Sequence, residues 1–258
     1  APAARAITLA PHITELVFAA GAGRHIVGTV SSSDFPAQAK SIPRIGDGIN
    51  ANVEKTLALR PDVVIAWLPS GAAQTLAPTL SRLDIPLLYS RPQGLDDIPA
   101  QILRFGKLFG TEATALPAAQ GLEARIAALR ADHAGARTVS VFIEVGASPL
   151  YTIGADPLLN DALRSCGGVN IYADTAIAAP QVSAESVLVK RPQVVIAPAS
   201  DGARVDEARR RWAALGLPAA QQGHVYGIDP DAFFRPGPRL VDATQALCSY
   251  LDRARQTP

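Results

Sequence analysis

Two carboxylates, Glu54 and Glu185, stand at the same place in two copies of one pattern. NVEKTLALRPDVVIAW (Asn52 to Trp67) and SAESVLVKRPQVVIAP (Ser183 to Pro198), aligned without a gap at an offset of 131 residues, are identical at eight of sixteen positions. Each Glu follows a helix-capping residue type, Asn52 or Ser183, by two positions. One chemistry is local: a carboxylate in the first turn complements the helix dipole by about 0.3 to 1 kcal/mol. The other is intermolecular: two related lobes each present one Glu to a partner that is itself twofold symmetric. The residues alone leave both open.

Catalytic chemistry finds little to work with. The chain has no G-x-S-x-G elbow, no H-E-x-x-H helix and no G-x-x-x-x-G-K-[ST] phosphate loop. GAG at 21–23 lacks a third Gly and ends a helical pattern, so a dinucleotide site fails. The histidines, at 12, 25, 133 and 224, show no metal-ligand spacing. These patterns assign no catalytic residue, metal or cofactor, and favour binding over catalysis. Cys166 and Cys248 lie 82 residues apart. In an exported chain they would be joined, closing a loop worth up to about 4 kcal/mol; two buried thiols serving as small hydrophobes are the alternative.

Lys plus Arg number 24 and Asp plus Glu 23. With no cationic cluster beyond Arg209-Arg210-Arg211, nucleic acid is set aside. Every apolar run is shorter than the roughly 18 to 20 residues of a membrane span. The chain has no Met and opens APAARAITLA, small residues like those around a signal-peptidase site. It reads as an exported chain whose signal has been removed, a chain trimmed in the laboratory being the alternative.

The positioning elements alternate. AITLA (6–10), HIVGTV (25–30), PDVVIAW and IPLLYS (85–90) read as strands. ITELVFAAG, NVEKTLALR, AAQTLAPTLSRL (72–83) and DDIPAQILRFGKLFG (96–110) read as helices. A long helix is expected over 112–136, starting or kinking at Pro117. Strands TVSVFIEV, VNIY and HVYGID, the repeated unit, and helices over 156–166 and 239–256 follow. The expectation is an α/β chain of two Rossmann-like lobes with central parallel sheets: lobe 1–110, connecting helix 111–136, lobe 137–258, with the ligand in a cleft between lobes. Loops at the strand ends carry Trp67, Tyr151, Phe233 and Phe234 in a chain only 5% aromatic. Such side chains suit a flat, largely apolar ligand.

ITLAPHITELVFAAGAGRHIVGTVSSSDFPAQAKSIP, the first repeat copy, SCGGVNIYADTAIAAPQVSAESVL and RPGPRLVDATQALC together resemble the cobalamin-binding branch of the helical-backbone substrate-binding proteins of ABC importers, a class shared with haem and ferric-siderophore binders. The resemblance covers nearly the whole chain. It implies a periplasmic protein, monomeric in solution, that delivers a corrinoid to a dimeric inner-membrane ABC permease. It also implies a Cys166–Cys248 disulfide and docking of Glu54 and Glu185 on permease arginines. Trp67, Tyr151, Phe233, Asp231 and Arg235 match pocket positions of the class, and Phe234 adjoins them. Ser32, Gly48 and Ala179 fall where its cobalamin binders carry Tyr or Trp. A haem ligand would need an axial group such as Tyr151 or His12, and a siderophore would need cations such as Arg91 and Arg235. An enzyme on the same scaffold is the remaining alternative.

Overall fold

The computed structural model describes residues 1–257. It divides into two compact units: Ala1–Pro92 with Asp96–Glu123 and Pro236–Pro238, and Gln93–Leu95 with Ala124–Arg235 and the chain from Arg239 onward.

The first unit contains β1 (Ala6–Thr8), α1 (Pro11–Ala19), β2 (Ile26–Val30), β3 (Arg44–Gly46), α2 (Val53–Ala58), β4 (Val63–Ala66), α3 (Ala72–Arg82), β5 (Leu87–Tyr89) and α4 (Asp97–Phe109). Its strands are all parallel, in the order β3-β2-β1-β4-β5. β1 and β4 are buried along their whole length, as continuous apolar strands covered on both faces must be. The order reverses between them, which opens a crevice beyond their carboxyl ends. Ile7, Val64, Leu76 and Leu80 fill the core that α3 packs against.

Helix α5 (Glu112–His133) belongs to the first unit up to Glu123 and to the second from Ala124. It does not start at Pro117. It starts five residues earlier, where the Thr111 carbonyl accepts the N–H groups of Thr114 and Ala115. Pro117 removes one backbone bond inside the helix, a loss offset by burial of Ala115, Ala119 and Ile126. The helix ends at His133, short of the expected 136.

The second unit continues with β6 (Val139–Ala147), β7 (Leu150–Thr152), α6 (Pro157–Ser165), β8 (Gly168–Asn170), α7 (Ala184–Lys190), β9 (Val194–Pro198), α8 (Gly202–Ala214), α9 (Pro218–Gln221), β10 (Val225–Ile228), α10 (Pro230–Phe233) and α11 (Arg239–Arg255). β10, β9, β6 and β8 are parallel neighbours, and β7 runs antiparallel to the end of β6. Trp212, Phe142 and Tyr172 centre the core. Trp212 donates to Glu144, which Arg211 clamps with both guanidinium nitrogens. The α/β class with central parallel sheets is borne out; β3, β7, α8, α9 and α10 were not anticipated.

The sequence repeat is α2–β4 and α7–β9. Asn52 and Ser183 cap their helices by accepting the N–H groups of Lys55 (2.8 Å) and Ser186 (3.1 Å). Arg60 and Arg191 both leave the helix with positive φ, 49° and 48°. A proline follows each and blocks further helix, so the chain turns directly into a buried strand. Cys166, at the end of α6, and Cys248, in α11, form a disulfide with S–S 2.01 Å.

Candidate functional site

In the first unit, Trp67 is the first residue after β4 and is 40% exposed. Its orientation is set by His12, in the first turn of α1. His12 is 1% exposed, donates from Nε2 to the Ser90 carbonyl (3.0 Å), and meets the Trp67 ring edge-on at 5.3 Å and 75°. Burial pushes the His12 imidazole down to about 4, the bond to Ser90 offsetting part of that. At neutral pH it is an uncharged, fixed prop. The His12 ring, 1% exposed, is closed off from the axial contact with haem considered from sequence.

Ser32 is exposed in the loop after β2. Its neighbour Ser33 is fully buried in a hydroxyl cluster with Thr8, Thr14 and Thr29, linked by contacts of 2.8 to 3.2 Å. This cluster satisfies its own donors and acceptors and fixes the loop on β1 and β2. Trp67, Gly48, Ile49 and Leu68 line an apolar pocket of about 350 Å³ floored by Ala72 and Ala73. It lies at the carboxyl ends of β1 and β4, where the strand order reverses.

In the second unit Tyr151 is 37% exposed on β7. The strand is pinned by Thr152, whose Oγ1 donates to the Ile143 carbonyl (2.6 Å) and whose N–H donates to Pro180. Beyond β10, Asp229 caps α10 by accepting the N–H of Asp231. Asp231 is exposed and pairs with Arg235 at 3.4 Å. Phe234 is half-buried. Phe233, placed by sequence among the ligand contacts, is fully buried and meets Phe234 edge-on at 5.1 Å. The single turn of α10 directs it inward with Ala232, so it supports Phe234 from beneath.

Glu54 and Glu185 are both exposed, each in the first turn of its helix. Among the described residues no group of three or more His, Cys, Asp or Glu is arranged to hold a metal ion, and no helix is long and apolar enough to cross a membrane. Sequence reasoning missed Ile49 and Ile177, 73% and 64% exposed on strand-end loops. A large apolar residue amid Gly, Asp and Asn, as in GDGIN, is the signal that marks the first.

Comparison with known proteins places this geometry. A vitamin B12-binding protein of Vibrio cholerae serotype O1 is 35% identical over 256 residues, covering 99% of this chain and 91% of that one. The crystal structure of the periplasmic vitamin B12 binding protein BtuF of Vibrio cholerae superposes with TM-score 0.90 at 34% identity over 99% of both chains. The periplasmic heme-binding protein RhuT of Roseiflexus sp. RS-1 superposes with TM-score 0.81 at 27% identity, over 98% of this chain and 99% of that one. Residues 7–232 match the periplasmic binding protein family, and the chain belongs to it.

Proposed function

We propose that this chain is a periplasmic substrate-binding protein that captures cobalamin or a related corrinoid, changes nothing in it, and delivers it to an ABC importer of the inner membrane. The observation that carries this reading is identity of 35% to a vitamin B12-binding protein across 99% of the chain. The open rings of Trp67 and Tyr151 support it, since a corrin offers a broad, flat, largely apolar face. Phe234 and the Asp231–Arg235 pair supply apolar and polar contacts for its rim, with Phe233 behind Phe234, and Ser32 is a further polar contact. The chain acts as a monomer.

Chemical inertness is tested by recovering bound cyanocobalamin after incubation and weighing it by mass spectrometry. Unchanged mass supports a binding protein, and a converted product moves the reading to an enzyme. Glu54 and Glu185 are proposed to dock on a dimeric permease, one to each half. Joint replacement Glu54→Lys and Glu185→Lys then abolishes uptake by the cognate importer in proteoliposomes while cobalamin affinity is unchanged; undiminished uptake refutes the docking role. A haem ligand is the second reading, favoured by the likeness to a heme-binding protein and by the exposed phenol of Tyr151. A haemin absorbance shift abolished by Tyr151→Phe supports it.

A further inference from the structure

The second unit carries a polar pocket of about 360 Å³ at the amino ends of β6, β9 and β10, the opposite end from Tyr151 and Asp231. Arg137, just before β6, is exposed, and its Nη2 donates to the Arg255 carbonyl at 3.4 Å. Among the described residues it has no carboxylate partner, and no Asp or Glu lines the pocket. Arg255 is the fixed cation of the wall. Its side chain is 12% exposed, Nη1 meets Asp252 (2.7 Å), and Nε and Nη2 donate to the carbonyls of Arg137 and Cys166. Buried His224 bonds the Thr257 hydroxyl through Nε2 (3.0 Å) and holds it at the pocket.

The sequence repeat shows what is particular to this wall. Gln193, just before β9, stands where the first copy has Asp62, just before β4. Both do the same backbone task. Asp62 accepts the N–H groups of Ala4 (2.8 Å) and Arg5 (3.0 Å), and Gln193 Oε1 accepts that of Ser140 (3.0 Å). Because Oε1 must face that donor, the NH₂ group of Gln193 is the end left for a guest. A carboxamide here keeps the bond to the strand, leaves out a negative charge and adds a donor. The Gln222 carboxamide lines the same pocket. A guanidinium with no carboxylate partner, flanked by amide donors in a wall free of acids, suits an oxyanion, and the planar fork of Arg137 can hold two of its oxygens at once. The volume leaves room for part of the group that carries the anion as well.

We propose that this pocket is a second binding site of the chain, for a phosphate group, in which Arg137 pairs with the charge and the carboxamides of Gln193 and Gln222 donate to its oxygens. The site is independent of the corrinoid reading. The test titrates the intact ¹⁵N-labelled protein with inorganic phosphate at constant ionic strength, with chloride as the control. Phosphate should move the side-chain amide signals of Gln193 and Gln222 saturably and leave that of Asn170, buried in the same unit, in place. Gln193→Glu keeps an acceptor for the Ser140 N–H and puts back the charge of the first copy. Followed through Gln222, it should weaken phosphate binding about tenfold, as should Arg137→Ala, with the unfolding midpoint in phosphate-free buffer unchanged. Unmoved amide signals, shifts that chloride reproduces, or parental affinity in either variant overturns the proposal. Sedimentation of the protein with phosphatidylglycerol vesicles, lost in Gln193→Glu, identifies a lipid headgroup as the source of the phosphate. Saturable phosphate binding without sedimentation identifies the free ion, and the site stands in both cases.

Discussion

Acid should loosen the first unit through His12. Its imidazole is buried and held uncharged down to about pH 4, whereas in the unfolded chain it takes up a proton near the ordinary value of about 6.5. The unfolded state therefore binds more protons between those two values, and folded stability falls as pH drops from 6.5 to about 4. The depression is worth about 3 kcal/mol when complete, at about 1.4 kcal/mol for each unit. Because the ring also props Trp67, the loss reaches the ligand face. The two tryptophans allow the units to be followed separately: Trp67 reports on the first, and Trp212, fully buried in the core, on the second. Urea unfolding of Trp212→Phe, followed by Trp67 emission at pH 7, 5.5 and 4.2, should lose about 3 kcal/mol of stability towards acid. His12→Gln keeps a donor for the Ser90 carbonyl and removes the titration. It should cost stability at pH 7 through lost packing and flatten the acid dependence by most of that 3 kcal/mol. An identical pH dependence with and without His12 would refute the reasoning.

Two further predictions concern the second unit. His133 donates from Nδ1 to the Leu129 carbonyl (2.7 Å) and from Nε2 to Asp252 (3.0 Å); both partners only accept, so the imidazolium alone satisfies both. Burial opposes its charge, but the hydrogen bonds to Asp252 and Leu129 outweigh that and raise its titration, while Asp252 is held low against its own burial by His133 and Arg255. The raised His133 contributes stability below about pH 6.5 that is lost as pH climbs through its folded value, and Asp252 contributes above about pH 4. His133→Ala should therefore be most costly between those limits and cost less at pH 8, as urea midpoints read through Trp212 in Trp67→Phe will show. Replacing Cys166 and Cys248 by Ser should remove about 4 kcal/mol, because their separation of 82 residues closes a long loop in the unfolded chain. An unchanged unfolding midpoint for this double variant would contradict that account.

What was legible in the sequence was periodic or repeated. The run VVIA occurs twice behind R-P and emerges twice as a buried parallel strand, since a short apolar run after a forced helix exit has one stable use in such a sheet. Asn52 and Ser183 were readable as caps because capping depends on one side chain and its own backbone. The misses depend on tertiary surroundings. β7 pairs through three residues against the end of a long strand, too short a run to show an alternation. Helix α8 is rich in charge around a few buried positions, Ala208 and Trp212, and so carries a faint apolar stripe. Phe233 and Phe234 are adjacent aromatics with opposite fates, which only the turn of α10 decides. The support that His12 gives Trp67 joins residues 55 apart and has no local signature.

The central claim, that a corrinoid is held against the open ring of Trp67, is tested most directly by titrating ligand-free protein with cyanocobalamin by calorimetry, in the parent and in Trp67→Ala. The account predicts saturable one-to-one binding in the parent, weakened at least tenfold in the variant, with haemin binding neither. Cyanocobalamin heats no different from dilution in the parent, or equal affinity in the two proteins, would contradict it.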